Sequence, residues 1–131
     1  ALEGTEAAIA TSTGMSAILL LAMGTLKAGD HVVCSRSVFG STINLFAKEF
    51  GKFGVETSFV SQTDLAEWQA AVRPTTRLFF AETPTNPLTE VCDIRALADL
   101  AHAAGALLAV DNTYSTPALQ CPAALGADVV M

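Results

Sequence analysis

Short apolar runs alternate along this chain with longer stretches in which apolar residues recur every three or four positions. The runs are four to eight residues long, and such runs predict strands that are buried on both faces of a sheet. The predicted strands are His31–Ser35, Val55–Val60, Arg77–Thr83, Leu107–Asp111 and Ala127–Met131.

Helical patterns lie between most of these strands, at Met15–Leu26, Ser41–Phe53, Asp64–Val72 and Asp93–Ala104. The second pattern predicts a buried helix face formed by Ile43, Phe46, Phe50 and Phe53. Repeated strand–helix–strand units predict right-handed crossovers, and therefore an α/β fold with a mostly parallel sheet between helices.

Composition and length limit the size of the protein and the partners that it is expected to have. The chain has 131 residues, 51% of them hydrophobic, and a net charge of −6. It is long enough for one domain, and no apolar run reaches the ~20 residues of a membrane span. Without a basic patch, nucleic acid and anionic membranes are not expected partners. Both ends look cut, because residue 1 begins a helix-like stretch and Met131 ends a strand, so residues 1–131 are interpreted as part of a larger domain.

Metal and redox chemistry have little support in the sequence. The three cysteines are far apart, with no zinc-ligand spacing, which indicates reduced thiols in a cytoplasmic protein and no metal site. His31 and His102 are interpreted as packing or surface residues. No G-x-G-x-x-G turn follows a strand, which disfavours a nucleotide-binding oxidoreductase.

A glycine turn is the first candidate for ligand binding. Gly14 and Met15 follow Ser12 and Thr13 at the start of an apolar helix. Free backbone N–H groups at a helix start can bind a phosphate, and glycine permits close approach. An ordinary capped helix has the same local pattern and is more common.

Three further candidates follow predicted strands at their C-terminal ends, where ligand sites of parallel sheets lie. Asp111 ends one strand and precedes Thr113, Asn86 lies in a loop with two prolines, and Phe39 precedes Gly40. A lone carboxylate here can hold a ring nitrogen protonated. The alternatives are a turn aspartate, a structural loop and a core phenylalanine. No clear helix is expected directly after Asp111.

Four segments in this order resemble the Cys/Met metabolism enzymes that use pyridoxal phosphate, a family of fold-type I, aspartate-aminotransferase-like proteins. The segments are Ser12–Met15, Phe39–Thr42, Glu82–Pro87 and Val110–Thr113. The resemblance implies that the amides of Gly14 and Met15 bind the cofactor phosphate and that Asp111 pairs with the ring nitrogen. It also implies that Asn86 lies near the ring hydroxyl and Thr113 beside the ring.

Two departures from the family pattern refine this expectation. The position of Phe39 usually carries a tyrosine that stacks on the ring and assists proton transfer. Phenylalanine here resembles the O-succinylhomoserine sulfhydrylase branch. The lysine that family members bond to the cofactor has no counterpart, since none of Lys27, Lys48 and Lys52 matches its position. The 131 residues alone are therefore expected to be inactive.

The resemblance implies a transferase of methionine biosynthesis that acts on a homoserine ester with sulfide or a thiol, in a cytoplasmic homo-oligomer built as a dimer of dimers. The chemical alternatives are cystathionine γ-synthase and a cystathionine or methionine γ-lyase. A different class also stays open, a non-catalytic α/β domain that binds a phosphorylated ligand or a partner chain.

Overall fold

A five-stranded parallel sheet organises the protein. A computed structural model describes residues 2–131. The strands follow the order β2-β1-β3-β4-β5, and every pairing between them is parallel. The predicted α/β fold is therefore confirmed. The strands are β1 (His31–Ser35), β2 (Glu56–Val60), β3 (Thr76–Glu82), β4 (Leu107–Asp111) and β5 (Val129–Val130).

Helices connect the strands and cover both faces of the sheet. Thr13 caps the first of them, because its hydroxyl accepts a hydrogen bond from the Ser16 N–H at 3.1 Å. Asp93 caps the fourth through the Ala96 N–H at 3.0 Å. Each cap pairs one of the N–H groups that a helix start leaves without a helical acceptor. The helices are α1 (Gly14–Thr25), α2 (Gly40–Asn44), α3 (Leu65–Ala70), α4 (Ile94–Ala103) and α5 (Thr116–Leu119).

Alternate side chains of the strands pack into two hydrophobic layers, one on each face of the sheet. On one face, Phe79 packs with the residues of α3 and α4, and its ring stacks on buried Trp68 with centroids 5.8 Å apart. On the other face, Phe80 packs beneath α1 and the segment after α2, with the Phe46 ring 5.4 Å away. Successive strand residues point to opposite faces, which explains why both layers draw on the same strands.

The predicted helix Ser41–Phe53 is broken into three types of turn. It runs as α2, a π-helix at Leu45–Glu49 and a 3-10 helix at Phe50–Phe53. Phe46 and Phe50 are buried as predicted, but Phe53 is 71% exposed. The prediction of a buried Phe53 assumed 3.6 residues per turn throughout, and the π and 3-10 turns depart from that spacing.

The expectation of a helix-like stretch at the start of the chain is wrong for the described residues. Residues 2–13 are not helical, and Glu3 there accepts a hydrogen bond from the Asn112 amide at 3.1 Å. As expected, no helix begins directly after Asp111, and the four-residue helix α5 starts only at Thr116. Pro117 lies in its first turn, where the missing N–H of proline costs no helical hydrogen bond.

In the described part of the chain, no helix is both long and apolar enough to cross a membrane. Residues 2–131 also contain no cluster of three or more histidine, cysteine, aspartate or glutamate side chains placed to hold a metal ion.

Candidate cofactor site

A cavity of about 310 Å³ opens at the C-terminal edge of the sheet. Strands β1, β3 and β4 are neighbours in the sheet, so the loops that follow them meet at this edge, together with the start of α1. All six residues singled out from the sequence line it. The lining residues are Thr13, Gly14, Met15, Ile18, Phe39, Thr42, Glu82, Asn86, Asp111, Thr113 and Tyr114.

The first turn of α1 presents unpaired amides to this cavity. The first helical hydrogen bond runs from the Ala17 N–H to the Thr13 carbonyl at 3.1 Å, and the Ser16 N–H is used by the cap. Within residues 2–131, no acceptor is bonded to the N–H of Gly14 or Met15. A Cβ built on Gly14 meets no atom within 4 Å, so the space beside this amide is open. This end of the cavity can bind an anion.

Asp111 combines a turn role with a free carboxylate oxygen. Its Oδ1 accepts hydrogen bonds from the Thr113 N–H at 3.0 Å and from the Thr113 hydroxyl at 2.6 Å. The turn interpretation of Asp111 is therefore correct for that oxygen. The second oxygen, Oδ2, has no hydrogen-bond partner in the described chain and remains available to a cationic group in the cavity.

Phe39 and Asn86 line the space between these two features. Phe39 is 47% exposed, so the alternative that it is a core residue is wrong. Asn86 is exposed, and its backbone N–H donates to the Glu82 carboxylate at 2.9 Å, while its side chain has no hydrogen-bond partner among residues 2–131. An aromatic face and an amide are therefore both available to a planar ligand, and their assigned contacts with a ring stay predictions.

Glu82 is, with Asp111, one of the two charged residues that line the cavity, and it was assigned no role from the sequence. It ends β3 directly opposite Asp111 in the register of the sheet, and it is 7% exposed. Burial raises the pKa of Glu82 and the Asp111 charge adds to this, while the amides of Phe39 and Asn86 oppose it. A polar residue at the end of an apolar strand was the signal that identified Asp111, and the same signal was present for Glu82.

Lysine is absent from the residues that line the cavity. Lys27 pairs with Asp30 at 3.2 Å, and Lys52 pairs with Glu49 at 2.7 Å. Lys48 is exposed on the helical segment after α2. Among the described residues, none of the three lysines is thus placed to bond to a ligand in this space.

The two histidines have structural partners away from the cavity. His31 is buried, and its ring nitrogens each lie 2.9 Å from a hydroxyl, that of Thr76 and that of Ser58. Burial lowers the pKa of His31 to about 4. His102 lies 3.0 Å from the Asp128 carboxylate at the protein surface. These positions agree with packing and surface roles.

The described residues fit a phosphorylated cation of moderate size. Unpaired amides lie at one part of the cavity wall and a free carboxylate oxygen at another, with an aromatic side chain and an amide beside them. A volume near 300 Å³ is at the lower end of small-molecule sites. Pyridoxal phosphate has the charges that these groups would bind.

Comparison with known proteins gives a consistent result. The family model described as Cys/Met metabolism PLP-dependent enzyme matches residues 1–131. O-succinylhomoserine sulfhydrylase of Pseudomonas aeruginosa is 61% identical over 131 residues, which are 100% of this chain and 32% of that protein. Cystathionine gamma-lyase of Bacillus subtilis is 44% identical over 130 residues, 99% of this chain and 34% of that protein.

Solved structures agree with the sequence matches. The crystal structure of metB from Corynebacterium glutamicum has a TM-score of 0.96 at 41% identity, covering 98% of this chain and 34% of that chain. The chain spans about a third of the length of the curated relatives it matches. Because the family model matches all 131 residues, this chain belongs to the Cys/Met metabolism family of pyridoxal phosphate-dependent enzymes.

Proposed function

We propose that this chain forms the cofactor-binding part of an O-succinylhomoserine sulfhydrylase. In that reaction the bond between Cγ of O-succinylhomoserine and its ester oxygen breaks, and succinate leaves. Sulfide forms a carbon–sulfur bond to the same Cγ, which gives homocysteine. The observation that carries the cofactor assignment is the single cavity shared by unpaired helix amides and the free oxygen of Asp111. The choice of branch is supported by the 61% identity to the Pseudomonas aeruginosa enzyme and by Phe39.

Each of the six residues singled out from the sequence has a defined task in this proposal. The amides of Gly14 and Met15 would bind the phosphate, and the ionised Oδ2 of Asp111 would accept a hydrogen bond from the protonated ring nitrogen and so stabilise its charge. Phe39 packs on the ring face, the Asn86 amide bonds the ring oxygen, and Thr113 holds Asp111 in place through its two hydrogen bonds. When bound, pyridoxal phosphate supplies an electron sink that stabilises negative charge beside the substrate amino group.

Other parts of the reaction are assigned to residues outside this chain. We infer that the covalent lysine and a cationic group that binds the substrate carboxylate belong to further segments of a longer protein, because neither lysine nor arginine lines the cavity in residues 2–131. The same proposal includes a cytoplasmic homotetramer whose sites form between subunits.

A γ-lyase is the second candidate function. It is supported by the 44% identity to the Bacillus subtilis cystathionine gamma-lyase. A lyase releases an oxo acid and ammonia where the sulfhydrylase forms a new carbon–sulfur bond. Phe39 favours the sulfhydrylase, because it brings no hydroxyl into the cavity to assist the proton transfers of elimination.

Product analysis separates these functions. The full-length protein that contains this chain is incubated with O-succinylhomoserine and sulfide, and homocysteine and 2-oxobutyrate are both quantified. We expect homocysteine as the main product, and activity with cystathionine or methionine alone to be minor. A dominant yield of 2-oxobutyrate assigns the protein to the lyases, and no product from any of these compounds supports a non-catalytic binding domain.

A further inference from the structure

The buried carboxylate of Glu82 connects two loops that line the cofactor cavity. Its Oε2 accepts a hydrogen bond from the Phe39 N–H at 2.7 Å, and its Oε1 accepts one from the Asn86 N–H at 2.9 Å. Phe39 lies in the loop after β1, whereas Asn86 lies in the loop after β3. One side chain therefore ties together two segments that are distant in sequence and that both contact the ligand space.

A carboxylate is the group that this geometry requires. Both acceptors are used, one by each loop, and hydrogen bonds from amides to an ionised carboxylate are stronger than those between neutral groups. A glutamine at position 82 keeps one acceptor oxygen and turns an NH₂ group toward the other amide. Two donors then face each other, so one of the two loops loses its partner.

The backbone of Glu82 is also held. The Gln62 side chain donates to the Glu82 carbonyl at 2.7 Å, and β4 pairs with β3 so that Asp111 lies opposite Glu82. The carboxylate thus extends from a fixed point on the sheet. Because it is 7% exposed, water competes little for its oxygens.

We propose that Glu82 is a positioning residue of the cofactor site, which sets the distance and orientation between Phe39 and Asn86. It acts through these two residues and is not assigned any contact with the reacting atoms. This inference rests on the proposed contacts of Phe39 and Asn86 with the cofactor ring. The loop connection itself is a property of the protein without cofactor.

Amide hydrogen exchange in the cofactor-free, full-length protein tests the connection. In Glu82→Gln, exchange in the segments 36–42 and 83–88 is expected to rise, by about tenfold where one such hydrogen bond is lost. Glu49→Gln is the matched control, since Glu49 is exposed at the end of the π-helix, pairs with Lys52 at the surface, and lies outside both segments and the cavity. It is expected to leave both segments unchanged.

The cofactor provides the second measurement. In Glu82→Gln, the circular dichroism induced in bound pyridoxal phosphate is expected to change sign or lose at least about half its amplitude. The melting temperature of the apoprotein is expected to stay near that of Glu49→Gln. Glu82→Asp keeps the charge but is one methylene shorter, so it cannot reach both amides. It is expected to raise exchange in one of the two segments.

Several results overturn the proposal. They are unchanged exchange in both segments for Glu82→Gln, a uniform rise across the whole protein, or an unaltered cofactor spectrum despite faster exchange. If Glu82→Gln does not fold, wild-type behaviour of Glu82→Asp in both measurements overturns it equally. Because the exchange experiment needs neither cofactor nor substrate, it can succeed even where product analysis rejects the sulfhydrylase assignment.

Discussion

Replacement of Asp111 by asparagine isolates the charge of its free oxygen. Oδ1 accepts both hydrogen bonds from Thr113, at 3.0 and 2.6 Å, and asparagine keeps an acceptor at that atom. Only Oδ2, which has no partner in the described chain, becomes an NH₂ group. The local turn therefore persists, and the unfolding free energy is expected to change by less than about 1 kcal/mol.

The effect on the cofactor follows from the loss of an opposite charge. A neighbouring opposite charge shifts a pKa by about 1–3 units, so the pKa of the ring nitrogen is expected to fall by that amount in Asp111→Asn. At about 1.4 kcal/mol per unit, this is about 1.4–4 kcal/mol of lost stabilisation. If the reaction depends fully on the ring charge, turnover falls by about 10- to 1000-fold.

Two assays on the full-length protein check this reasoning. The absorbance of bound cofactor is followed against pH to locate the ring protonation, and steady-state turnover is measured with saturating cofactor. Asp99→Asn is the control, because Asp99 is exposed on α4 and lies outside the cavity. An Asp111→Asn enzyme with wild-type turnover and an unshifted ring titration refutes the role given to Asp111.

Substitutions at three other positions test further parts of the molecule. Phe39→Leu is expected to weaken cofactor binding by about 1 kcal/mol, which is about fivefold in Kd. Phe39→Tyr is expected to keep the affinity but add 2-oxobutyrate to the products. If both variants leave affinity and products unchanged, Phe39 does not contact the cofactor ring. Gly14→Ala adds a Cβ that meets no protein atom within 4 Å, so the melting temperature is expected to stay unchanged. The Kd for pyridoxal phosphate is expected to rise by about tenfold. Equal Kd values for wild type and variant contradict the phosphate site. The pKa of His31 is lowered from 6.5 to about 4, so below pH 6.5 the unfolded chain binds a proton that the native protein does not, and stability falls as the pH drops toward 4. His31→Gln should remove about 1–3 kcal/mol of that loss in urea unfolding, and identical pH dependence in both proteins excludes this contribution.

Sequence patterns predicted the candidate site well where the signal was local. A glycine at a helix start implies free amides whatever the rest of the fold does, and Gly14 has them. Asp111 was recognisable because a charged residue directly after an apolar strand must emerge at the edge of the sheet. Glu82 carried the same signal but gave no hint of its two amide partners, which come from loops placed by different strands.

By itself, the sequence located the five strands and the helices α1, α3 and α4, and it showed which strand ends carry polar side chains. These properties depend on residues within one or two turns of each other, so a single segment contains the information. The parallel character of the sheet also followed, because strands joined through helices return in the same direction.

Only the tertiary structure decided which strand ends become neighbours. The order β2-β1-β3-β4-β5 places β1, β3 and β4 side by side, and this brings Phe39, Glu82 and Asp111 to one cavity. It also decided that Phe53 is exposed at the end of a helix with π and 3-10 turns. Strand order and helix distortion arise from the packing of whole elements against each other, and the free energy of that packing depends on contacts between segments far apart in the chain.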